Sequence, residues 1–398
     1  MVHFTDFPME IIDTVLEDLD PVSLASTAIV TPSLQYPSEW FMYRTVKLRI
    51  CYKSPEMEIT FDAQQAFLRA VSSSERRARY IELLALQYFI CDSTEDMDAI
   101  FQDLERAMKL MVNLKKLSMV GAPYIQHARL ESATFSLTHL SIKPVSATDE
   151  PIPTDILLPI LKAHPKLRWL SLRGIWLLQD DEVAAIEEQE SDELAGDHPS
   201  AVVCPGLEYV DSIREEVVQS FVVGRRIKHL VVYRTTEEAG RRWGTPSMLP
   251  AYSCLTTLVL FTTLHDWASD NPFPIEMARQ LTSLTRLNIT AEIAGENRPI
   301  AFVYTPGSPL LLSIAQIHTL ESLTLWSNPS WCNSGSEEEE IIRFLYESCG
   351  NLKEVFVKRS NDAKSHSHYG VGGRLIGLVG RAVAIKMDME PIMLFIRD

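Results

Sequence analysis

The sequence predicts an α/β array in which short parallel strands alternate with helices, headed by a small helical segment. Two observations carry that expectation: one apolar signature returns along most of the chain, and amphipathic stretches fill the gaps between its copies. A chain of 398 residues is too long for one compact core and fits an extended array or several domains.

The first elements are two helices. Pro8 suits a first helical turn, where its missing N–H costs nothing, and Glu10 follows near the positive end of the helix dipole. Met9, Ile12, Val15, Leu16 and Leu19 then recur at helical spacing, while Asp13, Glu17 and Asp18 face away. Asp20-Pro21 is a second start, an N-cap followed by Pro at the first helical position, and Leu24, Ala28 and Ile29 carry that helix on. Thr31-Pro32 is expected to end it, and Pro37 to prevent a long regular helix after it. Val46-Lys47-Leu48 then alternates like a strand.

From there the signature is an apolar residue, two variable ones, an apolar residue, one variable, and a third apolar residue. It reads Ile81-Leu84-Leu86, Leu114-Leu117-Met119, Leu137-Leu140-Ile142 and Leu167-Leu170-Leu172. It continues as Ile227-Leu230-Val232, Leu255-Leu258-Leu260, Leu284-Leu287-Ile289, Leu320-Leu323-Leu325 and Leu352-Val355-Val357, with Leu207-Val210 a degraded copy ending at Ser212. The steps between first positions are 33, 23, 30, 40, 20, 28, 29, 36 and 32 residues. The last two apolar positions alternate as in a strand with one buried face. Between copies, Asp98–Leu110, Asp155–Ala163 and Glu338–Ser348 read as amphipathic helices. A strand and a helix per unit, stacked on neighbours, define an irregular leucine-rich-repeat solenoid.

The boundaries that follow are a helical segment at 1–48, the solenoid at 49–360, and a connector with a C-terminal cap at 361–398. Residues 180–198, rich in Asp and Glu and without Lys or Arg, and the run ending in Glu337-Glu338-Glu339-Glu340 are insertions expected to be solvated loops or helix starts rather than binding tails. Residues 361–374 are expected to form a connector, and Leu375–Arg397 a closing helix and strand.

Composition narrows the function. With 37 basic against 53 acidic residues and a net charge of −16, a nucleic-acid partner is not expected, because phosphate contacts need clustered cations. The N-terminus has no signal-peptide pattern and no window approaches a membrane span. The six cysteines form no CxxC pair and suit reduced, packed thiols in an intracellular protein, cytoplasmic or nuclear.

The N-terminal segment resembles the F-box motif. The match is Phe7-Pro8-Met9-Glu10-Ile11-Ile12, then Val15-Leu16-Glu17-Asp18-Leu19-Asp20-Pro21-Val22-Ser23-Leu24, with Val30 and Tyr43-Arg44-Thr45-Val46 later. The resemblance covers about the first 48 residues, and the repeats behind it are similar to those of fungal F-box proteins. It implies that Pro8, Ile11, Ile12, Val15, Leu16, Leu19 and Leu24 face the Skp-type adaptor of a Skp–cullin–F-box ubiquitin ligase, and through it a cullin. The repeats would then hold a protein substrate, and the chain would supply position rather than catalysis. Phe7 stands where the family has Leu, and the two prolines of Thr31–Glu39 interrupt what is elsewhere a continuous helix. The alternative is a leucine-rich-repeat scaffold whose N-terminal helices only cap the solenoid.

Catalytic and cofactor constellations fail one by one. His366 and His368, with His164 or His198, have no Cys or carboxylate at ligand spacing, so no metal is expected and exposed loop histidines are. The Gly370–Gly373 run lacks the Lys-Ser/Thr of a phosphate loop, and no nucleophile motif is present. No cofactor and no enzymatic activity are therefore expected. For recognition, Trp176 and Trp326 are placed just after repeat strands, where loops gather and aromatic anchors are favoured.

Overall fold

The computed structural model describes residues 7–50, 66–88, 95–120, 129–143, 154–172, 203–212, 225–233, 252–263, 275–292, 308–328, 335–358, 365–370 and 374–380. The chain divides into two compact units, Met1–Pro205 and Gly206–Asp398.

The first unit opens with α1 (Met9–Glu17), α2 (Pro21–Ala28) and α3 (Pro32–Arg44). Asp20 caps α2 as expected: its Oδ1 accepts from the backbone N–H of Val22 at 2.9 Å and of Ser23 at 3.0 Å. The Ser23 hydroxyl donates to Oδ2 at 2.6 Å, and these bonds hold the Asp20 carboxyl below its usual pKa. Contrary to expectation, α3 runs unbroken across both prolines. Pro32 sits at the first helical position, where it is tolerated. Pro37 removes one donor to the carbonyl of Ser33, an exposed residue that water can serve.

Ile12, Leu16, Leu24 and Leu34 form the buried core of these helices, with Leu19, Phe41 and Met42 packed against it. The chain passes straight from α3 into β1 (Thr45–Ile50), so the expected boundary at residue 48 falls inside a strand. Helix α4 (66–72) and α5 (Glu75–Tyr80) precede β2 (Leu83–Tyr88). Then come α6 (Glu95–Leu110), β3 (Lys116–Val120), β4 (His139–Lys143), α7 (Thr154–Ala163) and β5 (Trp169–Leu172). All five strands pair in parallel with their sequence neighbours, and the signature leucines stay in register: Leu84, Leu117, Leu140 and Leu170 lie side by side, with Val46 of β1 beside Leu84.

The second unit repeats the scheme. Strands β6 (Tyr209–Ser212), β7 (His229–Tyr233), β8 (Thr257–Thr263), β9 (Arg286–Glu292), β10 (Ser322–Asn328) and β11 (Glu354–Lys358) are parallel. Helices α8 (Ile275–Gln280), α9 (Pro309–Ile314) and α10 (Gly335–Ser348) fall between them. The degraded copy at Leu207 still makes its strand, because Val210 keeps its place beside Leu230. An α/β leucine-rich-repeat architecture behind N-terminal helices is thus the observed fold.

At the C-terminal end, the expected connector is partly regular. Strand β12 (Ser365–Gly370) pairs antiparallel with β11, and β13 (Arg374–Gly380) pairs antiparallel with β12. His366 and His368 are therefore strand residues rather than loop residues. The acidic insertion at 180–198 and residues 381–398 lie outside the described residues.

Two features of the repeat exceed the signature. Three residues before its first apolar position, Ala78, Met111, His164, Tyr252, Leu281, Ile317 and Cys349 are all buried. In each, the carbonyl accepts the N–H of that first position, as from Ile81 at 3.2 Å, Leu167 at 3.0 Å and Leu352 at 3.0 Å. This closes the turn from helix to strand. His164 is thus a fully buried core residue, stacked on Phe135 with ring centroids 5.6 Å apart, not an exposed loop histidine. Its Nδ1 accepts from Leu137 N at 3.4 Å, and burial lowers its pKa.

The second feature is a ladder at the position just before each strand. In the first unit the N–H of Glu82, Lys115, Thr138 and Arg168 donates to the carbonyl of Arg44, Glu82, Lys115 and Thr138 respectively, at 2.8–3.0 Å. Side chains follow the same order: Lys115 Nζ lies 2.9 Å and Arg44 Nε 3.4 Å from the Glu82 carboxylate. Glu208–Lys228 at 3.4 Å and Glu321–Lys353 at 2.9 Å repeat that pairing in the second unit.

Candidate docking surfaces

The N-terminal helices present an apolar outer face. The structure divides the seven residues assigned to an adaptor by the F-box resemblance. Pro8, Ile11 and Val15 are exposed. Ile12, Leu16 and Leu24 are 3%, 0% and 4% exposed, and Leu19 is half-buried against the same core. These residues close the gap between the helices, and a partner would have to pry the helices apart to reach them. The exposed apolar set also includes residues outside those seven. Phe7, Met9, Val22, Ile29, Val30 and Tyr36 are all exposed, with Val22 at 76% and Ile29 at 86%.

A signal for part of this set was present. Seven residues bring a helix round by nearly two full turns, so Val22 and Ile29 share a face, roughly opposite Leu24. With α2 apolar on both sides, periodicity alone did not say which side was inward. The rim is acidic: Glu10, Glu17 and Asp18 are exposed, and no Lys or Arg occurs before Arg44. The opposite side of the motif is committed, since α3 packs on α5 and leads into β1.

The middle strand positions differ between the two units. In β3, Leu117 and Met119 are buried while Lys116, Ser118 and Val120 are half-exposed. Lys47 and Ala85 occupy the matching outward positions of β1 and β2, and Ser141 that of β4. His139 and Trp169 are ring neighbours on this face at 5.5 Å. Burial first, then the positive charges of Lys116 and Arg168, push the pKa of His139 down to about 4. In the second unit the middle strand residues Val231, Val259, Thr324 and Phe356 are buried at 1%, 1%, 5% and 1% exposure. With Ser171 of β5 and Asp211 of β6 buried as well, the expectation of one buried face per strand fails in β5, β6, β7, β8, β10 and β11.

Of the aromatic anchors proposed for recognition, Trp326 lies within β10, beside Thr290 of β9, rather than after the strand. Trp176 lies outside the described residues. Among the described residues no group of His, Cys, Asp and Glu could hold a metal ion, and no helix is long and apolar enough to cross a membrane. Cys204 and Cys349 are buried, and their sulfurs lie against backbone carbonyls, Cys204 at 3.4 Å from Leu161 O and Cys349 at 3.7 Å from Ile314 O.

Fold and surface together define a class: a leucine-rich-repeat protein whose N-terminal helices keep an apolar face in solvent. Its sequence matches no protein-family model and no curated protein. Among solved structures it is similar to a chain of the yeast Rad7–Elc1 complex, with a TM-score of 0.38 and 14% identity over 91% of this chain and 90% of that chain. So loose a likeness adds nothing to the fold, which rests on the strand pairing and burial described above.

Proposed function

We propose that this chain is the substrate-recognition subunit of a Skp–cullin–F-box ubiquitin ligase. The N-terminal helices dock a Skp-type adaptor, which joins them to a cullin, and the repeats bind a protein substrate. The observation that carries this reading is the exposure of Phe7, Met9, Ile11, Val15, Val22, Ile29 and Val30 together on one small motif. A helical segment serving only as a solenoid cap is expected to turn a polar face outward, and contiguous exposed apolar surface marks an interaction site. The order Pro8, Glu10, Ile11-Ile12, then Leu19-Asp20-Pro21, supplies the resemblance that names the partner. The chain contributes no catalytic group of its own; it holds a substrate near chemistry performed by others. It works in the cytoplasm or the nucleus, without a nucleic-acid or membrane partner.

Co-expression with a Skp-type adaptor, followed by size-exclusion chromatography, tests the reading. A one-to-one complex is expected, and Val22→Asp with Ile29→Asp should abolish it while leaving the helical content intact, because both side chains are already in water. Leu16→Asp is unsuitable, since it would unfold the motif. Separate elution of two folded proteins refutes the ligase assignment and leaves a scaffold whose exposed helices await another partner.

A further inference from the structure

The joint between α3 and α5 is built differently from the rest of the surface. Glu39 of α3 is a carboxylate only 4% exposed. Its Oε2 lies 2.6 Å from Arg76 Nη2 and its Oε1 lies 3.5 Å from Arg77 Nη2, both arginines belonging to α5. The arginines also cover aromatic rings of α3: Arg76 lies 4.7 Å from the centroid of Tyr36 and Arg77 lies 5.7 Å from that of Tyr43. Tyr43 in turn stacks on Phe67 of α4 at 5.8 Å. At the end of α3, Arg44 lies 4.7 Å over Trp40 and pairs with Glu82 at the first rung of the ladder. A swivelling linker needs exposed, weakly bonded backbone. Here a buried carboxylate is paired with two half-exposed guanidinium groups, each of which also lies over a ring of α3, so any rotation of α3 on α5 leaves that carboxylate without its counter-charge.

We propose that Glu39 is a positioning residue that locks the N-terminal helices to the first repeats as one rigid body. The helices are then both the cap of the array, through α3, and an exposed docking face, through α1 and α2. Whatever binds that face is held at a fixed distance and angle from the outward face of β1–β4. The inference goes beyond the ligase reading and stands whether or not the partner is a Skp-type adaptor.

Hydrogen exchange on the full chain tests it. Glu39→Gln keeps the volume and removes the anion, leaving two guanidinium groups without their counter-charge. Exchange of the α1–α3 amides is expected to accelerate by about tenfold or more while that of β3–β5 stays unchanged, the pattern of a local unit released from its neighbour. Arg77→Gln, which leaves the closer Arg76 contact in place, should give a smaller acceleration over the same segment. Equal acceleration in helices and strands would make Glu39 a general stability residue, and no acceleration would make the contact incidental. Either result overturns the proposal.

Discussion

Strands β1–β4 of the first unit and β7, β8, β10 and β11 of the second share one apolar signature yet live in different environments. In the first group the residue between the two inward positions is Lys47, Ala85, Ser118 or Ser141. In the second it is Val231, Val259, Thr324 or Phe356, and all four are buried. A strand with one solvated face alternates, whereas one covered on both faces becomes a continuous apolar run. Leu-Val-Val, Leu-Val-Leu and Val-Phe-Val in the second unit are such runs. The lesson is that the two outer positions of the signature set the pairing register, and the middle one sets how many faces are covered. β5 and β9 mark the limits of the contrast: Ser171 is buried in the first unit, and Asn288 is half-exposed in the second.

Substitution at matched positions should break this contrast most sharply. Phe356→Ala is expected to cost about 3–5 kcal/mol, the transfer term plus a cavity, in chemical denaturation of the full chain. Ser141→Ala, at the corresponding place in β4, should stay within about 0.5 kcal/mol. Equal costs at both would mean that the outward faces do not differ. Val259→Ala removes two methyl groups and should cost about 2 kcal/mol, whereas Ser118→Lys should leave the urea midpoint nearly unmoved.

Acidification offers a gentler comparison. His164 in the first unit and His229 in the second both have pKa values lowered chiefly by burial. Their unfolded forms therefore take up protons first as pH falls, near the ordinary histidine value of about 6.5. The stability tied to their neutral forms is complete above that pH and drains away as pH drops toward the lower folded values. His164→Gln should flatten the loss of stability between pH 7 and pH 5 in the first unit while leaving exchange in β7–β9 with its original pH dependence. An unchanged slope would show that other groups dominate.

The smallest effect belongs to the ladder. The hydrogen bond from Lys115, then the nearby charges of Lys115 and Arg44, outweigh burial and hold the Glu82 carboxyl below its usual pKa. That contribution is present above the unfolded carboxylate value and is lost as pH falls through the lower folded one. Because these side chains remain in contact with water, Glu82→Gln should cost only a few tenths of a kcal/mol at pH 7, and high salt should erase the difference. A large loss would mean that the charges, rather than the backbone bonds beside them, align neighbouring repeats.

Much of the scaffold could be foreseen locally. Asp20-Pro21 starts α2 because an N-cap and a fixed φ act within one turn, and Lys116–Val120 forms a strand because alternation is a property of five adjacent residues. The helices around Asp98–Leu110, Asp155–Ala163 and Glu338–Ser348 followed from their period in the same way. The candidate docking face was half legible. The F-box order located it, but the residues that the resemblance assigned to the adaptor mix the exposed Pro8, Ile11 and Val15 with the buried Ile12, Leu16 and Leu24, and leave out the exposed Val22, Ile29 and Val30.

The sequence by itself therefore determined the repeat, its register and the class of fold, because caps, periods and turns are short-range interactions. Tertiary structure alone decided which apolar side of α1 and α2 meets solvent, and that α3 survives Pro37. It also decided that the buried turn position ahead of seven of the signatures accepts Ala, Met, His, Tyr, Leu, Ile or Cys, whereas Thr134 ahead of Leu137 is exposed. Those outcomes depend on contacts between segments tens of residues apart. Burial there is set by what the neighbouring repeat leaves open, so side chains of unlike chemistry fill one equivalent site, and no local pattern records it.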